Sequence, residues 1–332
     1  MADANRRARL LTSSSLSTTG DTTAVPATAT TRATAIGRPR AIDLVLLAVA
    51  VVAVSFSAPL VREAAAPALV IAMYRNVFAS VVLVPAAAVR HRDEVRRLRT
   101  SRQERRLAGF AGVVLAAHFA TWVPSLSFTS VASSVALVAT QPIWAAVIAR
   151  ARGDHVPGKA WWGIGIAFTG TVVLSGVDFS LSGRALFGDL LALLGGMLAA
   201  AYVTIGSEAR RTLSTTVYTS VCYSVAGVLL LVACLASGKD VLHYDAKTWW
   251  IFVAITIGPQ LLGHSVVNKV LRTTSATVVS VAILFEVVGA SVLAWWWFGE
   301  TPPAGAYPAA ALIGAGVVLV ILSGREPAAP LD

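Results

Sequence analysis

From Ala41 onward the chain alternates long apolar runs with short stretches that gather Arg, Lys, Gly and Pro. The runs are about 20 residues long, the length a helix rising 1.5 Å per residue needs to cross a hydrocarbon core of about 30 Å. They lie near 42–61, 67–88, 107–127, 130–149, 160–177, 188–207, 215–236, 249–267, 275–297 and 306–323. The pattern predicts an all-α, polytopic membrane protein of ten transmembrane helices. Residues 1–40 are different material, Ser, Thr and Ala with Arg6, Arg7, Arg9, Arg32, Arg38 and Arg40 and no apolar run. They read as a disordered cytoplasmic tail. They lack the apolar centre of a secretory signal, although organellar transit peptides share their Arg- and Ser/Thr-rich, acid-poor chemistry.

The basic residues test the span count, because cytoplasmic loops are enriched in Lys and Arg. With the amino terminus inside, 22 of the 27 Lys and Arg fall on inner segments, eight of them between Arg90 and Arg106. The outer loops hold Arg62, Arg184, Lys239 and Lys247, and Arg75 alone falls within a span. Losing one span would scramble this alternation. Both termini are therefore expected in the cytoplasm, with the protein in the plasma membrane.

Composition sharpens the class. At 56% hydrophobic and 13% charged residues, the chain cannot hide its apolar side chains in one soluble core and needs lipid as solvent. The net charge of +10 is dispersed over interhelical stretches, which excludes a phosphate-tracking face and with it a nucleic-acid partner. Cys222 and Cys234 are twelve positions apart in one apolar run. On a helix that spacing is roughly 18 Å, too far for a disulfide.

Sliding the chain along itself by about 146 residues reveals an internal repeat. Asp43-Leu44 falls on Asp189-Leu190, His118 on His264 and Gly153-Asp154 on Gly299-Glu300, and with a two-residue slip Leu174-Ser175-Gly176 meets Leu322-Ser323-Gly324. With a one-residue slip Thr129-Ser130 meets Thr274-Ser275 and Gln141 meets Glu286. Each copy holds five expected spans. An odd number places the second copy upside down, the inverted repeat that lets a carrier open alternately to either side. The halves run over 41–178 and 179–324, with a short cytoplasmic tail at 325–332.

Two stretches also carry a family resemblance. The first runs from His118-Phe119-Ala120-Thr121-Trp122 through Thr129-Ser130-Val131-Ala132 to Gln141-Pro142-Ile143-Trp144. The second runs from Gln260-Leu261-Leu262-Gly263-His264-Ser265 with Asn268 to Phe285-Glu286 and Gly299-Glu300-Thr301-Pro302. Together they resemble the EamA-like permeases of the drug/metabolite transporter superfamily. The resemblance covers about residues 41–324. It implies a five-plus-five inverted repeat, a central cavity lined by helices 1–4 and 6–9, and export of small metabolites or amino acids. In one departure, Val287 stands where many relatives carry Pro after the Glu.

Candidate solute contacts are polar groups at mid-depth, where a charge costs about 2.5–3.5 kcal/mol on insertion scales and faces the bundle interior. They are Arg75, His118, Gln141 and Glu286. Val221 is the repeat counterpart of Arg75, and neutral Gln141 that of Glu286, so the charges break the symmetry of the halves. Either Arg75 grips an acidic group of the solute while Glu286 takes an ammonium or a proton, or the two neutralise each other. His118 either relays protons or bonds a neighbouring backbone, and His264 lies nearer the cytoplasmic end of its span. Trp122, Tyr202, Tyr74 and Trp144 either stack on a solute or serve packing. Pro124, Pro142 and Gly258-Pro259 are candidate helix breaks, whose freed backbone groups bind solutes in carriers.

Small residues four apart, Gly163 with Ala167 and Ala310 with Gly314, permit close contact, within the bundle or as a homodimer seam through helices 5 and 10. The basic segment Arg90–Arg106 reads as a topology anchor or as an amphipathic segment on an anionic leaflet. Gly163-Ile164-Gly165 lies in an apolar span with no βαβ unit, which removes it as a nucleotide motif. No Gly-x-Ser-x-Gly or His-Glu-x-x-His occurs, and the sequence gives no sign of an enzyme, a cofactor or a metal centre. The expected partners are a small solute and the lipid bilayer. Coupling falls to Glu286 or His118, or the chain is a passive facilitator. Two alternatives stay open: an organellar-type nucleotide-sugar or sugar-phosphate translocator, and a membrane sensor or assembly protein without transport. Phosphate recognition would favour several intramembrane cations, and Arg75 alone is deep in the sequence.

Overall fold

A computed structural model of the chain describes residues 40–125, 127–129, 134, 137–175, 182–299 and 306–323. The expected tails at 1–40 and 325–332, most of the first part of the fourth span, and Ser130, Gly176, Glu300 and Gly324 of the repeat lie outside the described residues, save Arg40. Seven described helices are long and apolar enough to cross a membrane: Ala41–Glu63, Ala68–Arg90, Arg102–Ser125, Gly183–Ala209, Thr215–Ala236, Ala246–Val270 and Ala276–Phe298. Tyr307–Leu322 is a shorter apolar helix. Gly158–Ser175 is also helical, opening with Gly158-Lys159 and carrying further glycines that dilute its apolarity.

In chain order the elements are α1 (Ala41–Ser55), α2 (Ser57–Glu63), α3 (Ala68–Arg90), α4 (Arg92–Thr100), α5 (Arg102–Ser125), α6 (Gln141–Ala151), α7 (Gly158–Ser175) and α8 (Gly183–Ala209). The second half continues with α9 (Thr215–Ala236), α10 (Ala246–Ile255), the π-helical α11 (Thr256–His264), α12 (Ser265–Val270), α13 (Ala276–Ile283), α14 (Phe285–Phe298) and α15 (Ala306–Leu322). Several begin on side-chain caps that satisfy a free backbone N–H. Ser214 accepts from Val217 N at 3.3 Å, Asp245 from Thr248 N at 2.9 Å and Ser275 from Val278 N at 3.2 Å. Gly153 and Gly238 follow the ends of α6 and α9 with φ of 87° and 63°, the left-handed turn that ends a helix at least cost in glycine.

Packing repeats between the halves. α5 packs on α8, and α1 on α11; α6 packs on α8, and α1 on α14; α5 meets α9, and α3 meets α11. Exchanging the halves maps the first member of each pair of contacts onto the second, while α3–α9, α7–α15 and α6–α13 map onto themselves. Bridging the halves, one apolar core includes Phe119, Tyr202, Tyr218, Tyr223 and Phe252, and a second joins α7 to α15 through Ala160, Ile164, Ala167, Ile313 and Val320.

The α7–α15 seam uses the small residues. A Cβ on Gly163 would lie 2.7 Å from Gly316 O, one on Gly316 2.6 Å from Ala167 N, and one on Gly170 2.7 Å from Ala309 O. On α15 the close approach therefore falls at Ala309 and Gly316, not at Ala310 and Gly314, and it lies within one chain. The basic segment also has an internal role. Arg97 Nη2 donates to Thr212 O at 2.8 Å, the Glu94 carboxylate accepts from Ser214 N, and Leu98 is buried, so α4 is fastened to the turn between α8 and α9.

The candidate helix breaks differ in kind. Gly258 and Pro259 fall within α11, where the missing proline N–H and the widened winding go together. Pro142 lies in the first turn of α6, just after a turn at Ala139-Thr140. Pro124 lies one residue before the end of α5. A further interruption falls at Leu284 between α13 and α14, without a proline.

Candidate functional site

Arg75 projects from α3 into the protein and is 3% exposed. Its Nε donates to Gln260 Oε1 at 2.7 Å, its Nη1 donates to Ser57 Oγ at 3.3 Å, and its guanidinium carbon lies 4.9 Å from the Phe119 ring centre. Gln260 is held in turn, its Nε2 donating to Asn76 Oδ1 at 3.2 Å. Arg75 Nη2 has no hydrogen-bond partner among the described residues. The arrangement fixes a buried cation by neutral groups on α2, α3 and α11 and leaves one guanidinium N–H pair free.

Arg75 lines a cavity of about 120 Å³ together with His118, Trp122, Gln141, Tyr202, His264 and Glu286. Six of the eight candidate solute contacts, Arg75, His118, Trp122, Gln141, Tyr202 and Glu286, are thus gathered around one space. The repeat-related pairs His118/His264 and Gln141/Glu286 both reach it, so the two halves present equivalent positions to the same cavity. His264 is on the wall despite its sequence position nearer a span end. Tyr74 and Trp144 are elsewhere: Tyr74 donates to Val241 O and stacks on Phe252 at 4.7 Å, and Trp144 Nε1 donates to Thr140 Oγ1 at 3.1 Å.

Several wall residues are oriented by a neighbour. His118 Nδ1 donates to Gly195 O on α8 at 2.9 Å, so that nitrogen carries the hydrogen, and the ring stacks on Trp122 with centroids 5.8 Å apart. Gly195 lets α8 approach, because a Cβ there would lie 2.9 Å from Trp122 Cβ. Trp122 Nε1 is a second buried donor without a hydrogen-bond partner among the described residues. Gln141 Nε2 donates to Ser280 Oγ at 3.1 Å, and Tyr202 OH accepts from Asn268 Nδ2 at 2.7 Å. No ion pair joins Arg75 to Glu286 among the described residues, although both face the cavity. A larger apolar groove of about 570 Å³ opens between α1, α14 and α15, lined by Leu47, Val51, Phe285, Val288 and Val292 and by no ionisable side chain. The chemistry is in the smaller space.

Gln260, Ser57, Asn76 and Ser280 were not singled out as contacts by the sequence. A Gln beside Gly258-Pro259 was the available signal, since a polar side chain at a helix break usually has a partner. Arg210 is a second enclosed arginine that the span pattern does not single out. It lies at the end of α8, next to exposed Arg211, yet is 1% exposed and donates from Nη1 to Asn268 Oδ1 at 2.7 Å.

Comparison with known proteins agrees with this architecture. A protein of Archaeoglobus fulgidus described as an uncharacterized transporter is 22% identical over 181 residues, which is 54% of this chain and 62% of that protein. The chain thus matches less than two thirds of that relative's length. A solved crystal structure, 18% identical, superposes with a TM-score of 0.73 over 86% of this chain and 98% of its own, a likeness of fold. The model of the EamA-like transporter family matches twice, over residues 41–176 and 186–322, close to the two halves read from the internal repeat. With its apolar helices, this doubled match makes the chain a multi-pass membrane protein that belongs to the EamA-like transporter family.

Proposed function

We propose that the chain carries a small solute bearing an acidic group across the plasma membrane, as an exporter of metabolites or amino acids. The observation that supports this is that Arg75 and Trp122 both line the cavity and each carries a buried donor, Nη2 and Nε1, with no hydrogen-bond partner among the described residues. Buried donors left without partners cost about 1–3 kcal/mol each, more for a charged one, so a carboxylate that accepts from both is held strongly. Glu286 takes an ammonium or a proton on the same solute, and Tyr202, Trp122 and His118 form the remaining wall. His118 and Glu286 are the candidates for proton coupling.

Ten helices in a five-plus-five inverted repeat, 41–178 and 179–324, rock about the cavity by alternating access, with both termini cytoplasmic. The exchange symmetry of the helix contacts supports that mechanism, because each half then has the same partners in either orientation. α11, with its π-type winding, and the interruption at Leu284 supply two deformable points next to the cavity.

Untargeted mass spectrometry of the medium tests this, with cells making the chain, its Glu286→Gln form, or neither. The expected result is one or more solutes that accumulate outside with the intact chain and fall to background with Glu286→Gln. Identical profiles in all three, with both proteins present in the membrane, would overturn export through this site.

A further inference from the structure

α4 joins two helices that cross the membrane, Ala68–Arg90 and Arg102–Ser125, so it lies at the level where both leave the bilayer. Its residues include Arg92, Arg96, Arg97 and Arg99 with Asp93 and Glu94. Arg92, Arg96 and Arg99 fall at i, i+4 and i+7, which makes them one stripe along the helix, and Glu94 and Leu98 fall on the opposite side.

The protein engages that opposite side. Leu98 is buried in the apolar core, the Glu94 carboxylate accepts from Ser214 N, Arg97 donates to Thr212 O, and Arg97 pairs with Glu104 at 3.6 Å. The stripe is left facing outward. Arg92, Arg96 and Arg99 are exposed, as are Arg90, Arg102 and Arg106 in the adjoining turns of α3 and α5. Among the described residues no carboxylate comes within 4.0 Å of any of the six. With Glu94 and Glu104 held in internal contacts, Asp93 is the one exposed acid of the segment.

Like charges one helical turn apart repel, so an outward stripe of guanidinium groups without acids is stabilised by a counter-charge from outside the chain. At the level where spans leave the bilayer, the anions at hand are lipid headgroups. A guanidinium presents a planar fork that matches a phosphate at two oxygens, and an anionic leaflet attracts basic segments within a screening length of its surface. The docked side of α4 holds the stripe in place at that surface.

We propose that α4 is a platform for anionic phospholipids, on which Arg92, Arg96 and Arg99, flanked by Arg90, Arg102 and Arg106, take the headgroups of the leaflet that α4 meets. The platform does not depend on the solute or on transport.

The test is thermal unfolding of the purified full-length protein in neutral detergent micelles doped with phosphatidylglycerol or, at equal mole fraction, with phosphatidylcholine, which carries the same phosphate but no net charge. A ligand that binds the folded state raises the melting temperature, here by about 2–4 °C for the anionic lipid over the neutral one. The difference is expected to shrink between about 0.1 M and 1 M salt, as the screening length falls from about 10 Å to about 3 Å. The triple form Arg92→Gln, Arg96→Gln and Arg99→Gln is expected to lose most of it. These side chains make no hydrogen bond or ion pair with the described residues, so the form is expected to fold. A control that removes the same charge at exposed positions elsewhere, Arg150→Gln, Lys159→Gln and Arg272→Gln, is expected to keep the rise. No rise in the wild type, a rise undiminished at high salt, or an equal loss in the two triple forms would overturn the platform. An equal rise with inorganic phosphate in phosphatidylcholine micelles would overturn the lipid as its occupant and assign the stripe to small anions.

Discussion

Arg75 and Arg210 are both enclosed cations, 3% and 1% exposed, yet they sit in opposite kinds of surroundings. Arg75 is anchored on two sides by Gln260 and Ser57 and opens on a third side to a cavity faced by Glu286. Arg210 is anchored by Asn268 alone and turns its remaining donors to Tyr218 and Gly206. A cation fixed by neutral groups at the edge of a cavity is arranged for a ligand that comes and goes. One enclosed without a cavity, packed against Tyr218 and Gly206, is arranged to hold helices together. The pair also shows that an arginine at a helix end can be as enclosed as one within a span.

Substitutions separate the two regions. The largest effect is expected from Arg75→Gln, which keeps a donor but removes the charge: a hydrogen bond to a charged group contributes about 1.5–3 kcal/mol, so apparent solute affinity should fall by about 10–100-fold. Concentration-dependent transport in proteoliposomes measures it. Gly206→Ala acts on the other region. Its Cβ displaces the Arg210 guanidinium from Asn268, and the loss is partly offset by the roughly 1 kcal/mol that Ala gains over Gly within a helix, leaving a net destabilisation of about 1 kcal/mol. Thermal unfolding should show this drop, and solute affinity in the folded protein should stay near wild type. Ser57→Ala removes the longer of the two anchors of Arg75, at 3.3 Å, and should weaken solute affinity by about twofold to tenfold, corresponding to about 0.5–1.5 kcal/mol. An effect of Gly206→Ala on affinity larger than that of Ser57→Ala would erase the distinction between the regions.

How much was visible beforehand follows from the same contrast. Arg75 and Glu286 stand out in the sequence because a charge amid an apolar run has few explanations, and they do share a cavity. His118 and Gln141 stand out as polar groups at mid-depth, and the repeat pairs them with His264 and Glu286, which reach the same cavity. Arg210 was hidden by Arg211: two arginines at a span end look like a topology signal, and nothing in the local pattern says that one turns inward while the other is exposed. Gln260 was hidden because neutral amides are ordinary in spans, and its role depends on Arg75, 185 positions away. The interruption at Leu284 carries no proline to announce it. The span pattern was legible because hydropathy reads length directly, whereas the small-residue seam of α7 and α15 required the registration of two helices in space.

The central claim is that the free edge of Arg75 reads an acidic group on the solute. The most direct measurement is counterflow in proteoliposomes of the exported solute and of its analogue with that group converted to the neutral amide, through the wild-type chain and through Arg75→Gln. The account predicts that the wild type prefers the acid by at least about tenfold, and that the preference largely vanishes in Arg75→Gln, the signature of coupling between the two changes. Equal preference for the acid in both proteins would contradict it and place the recognition of the solute elsewhere in the bundle.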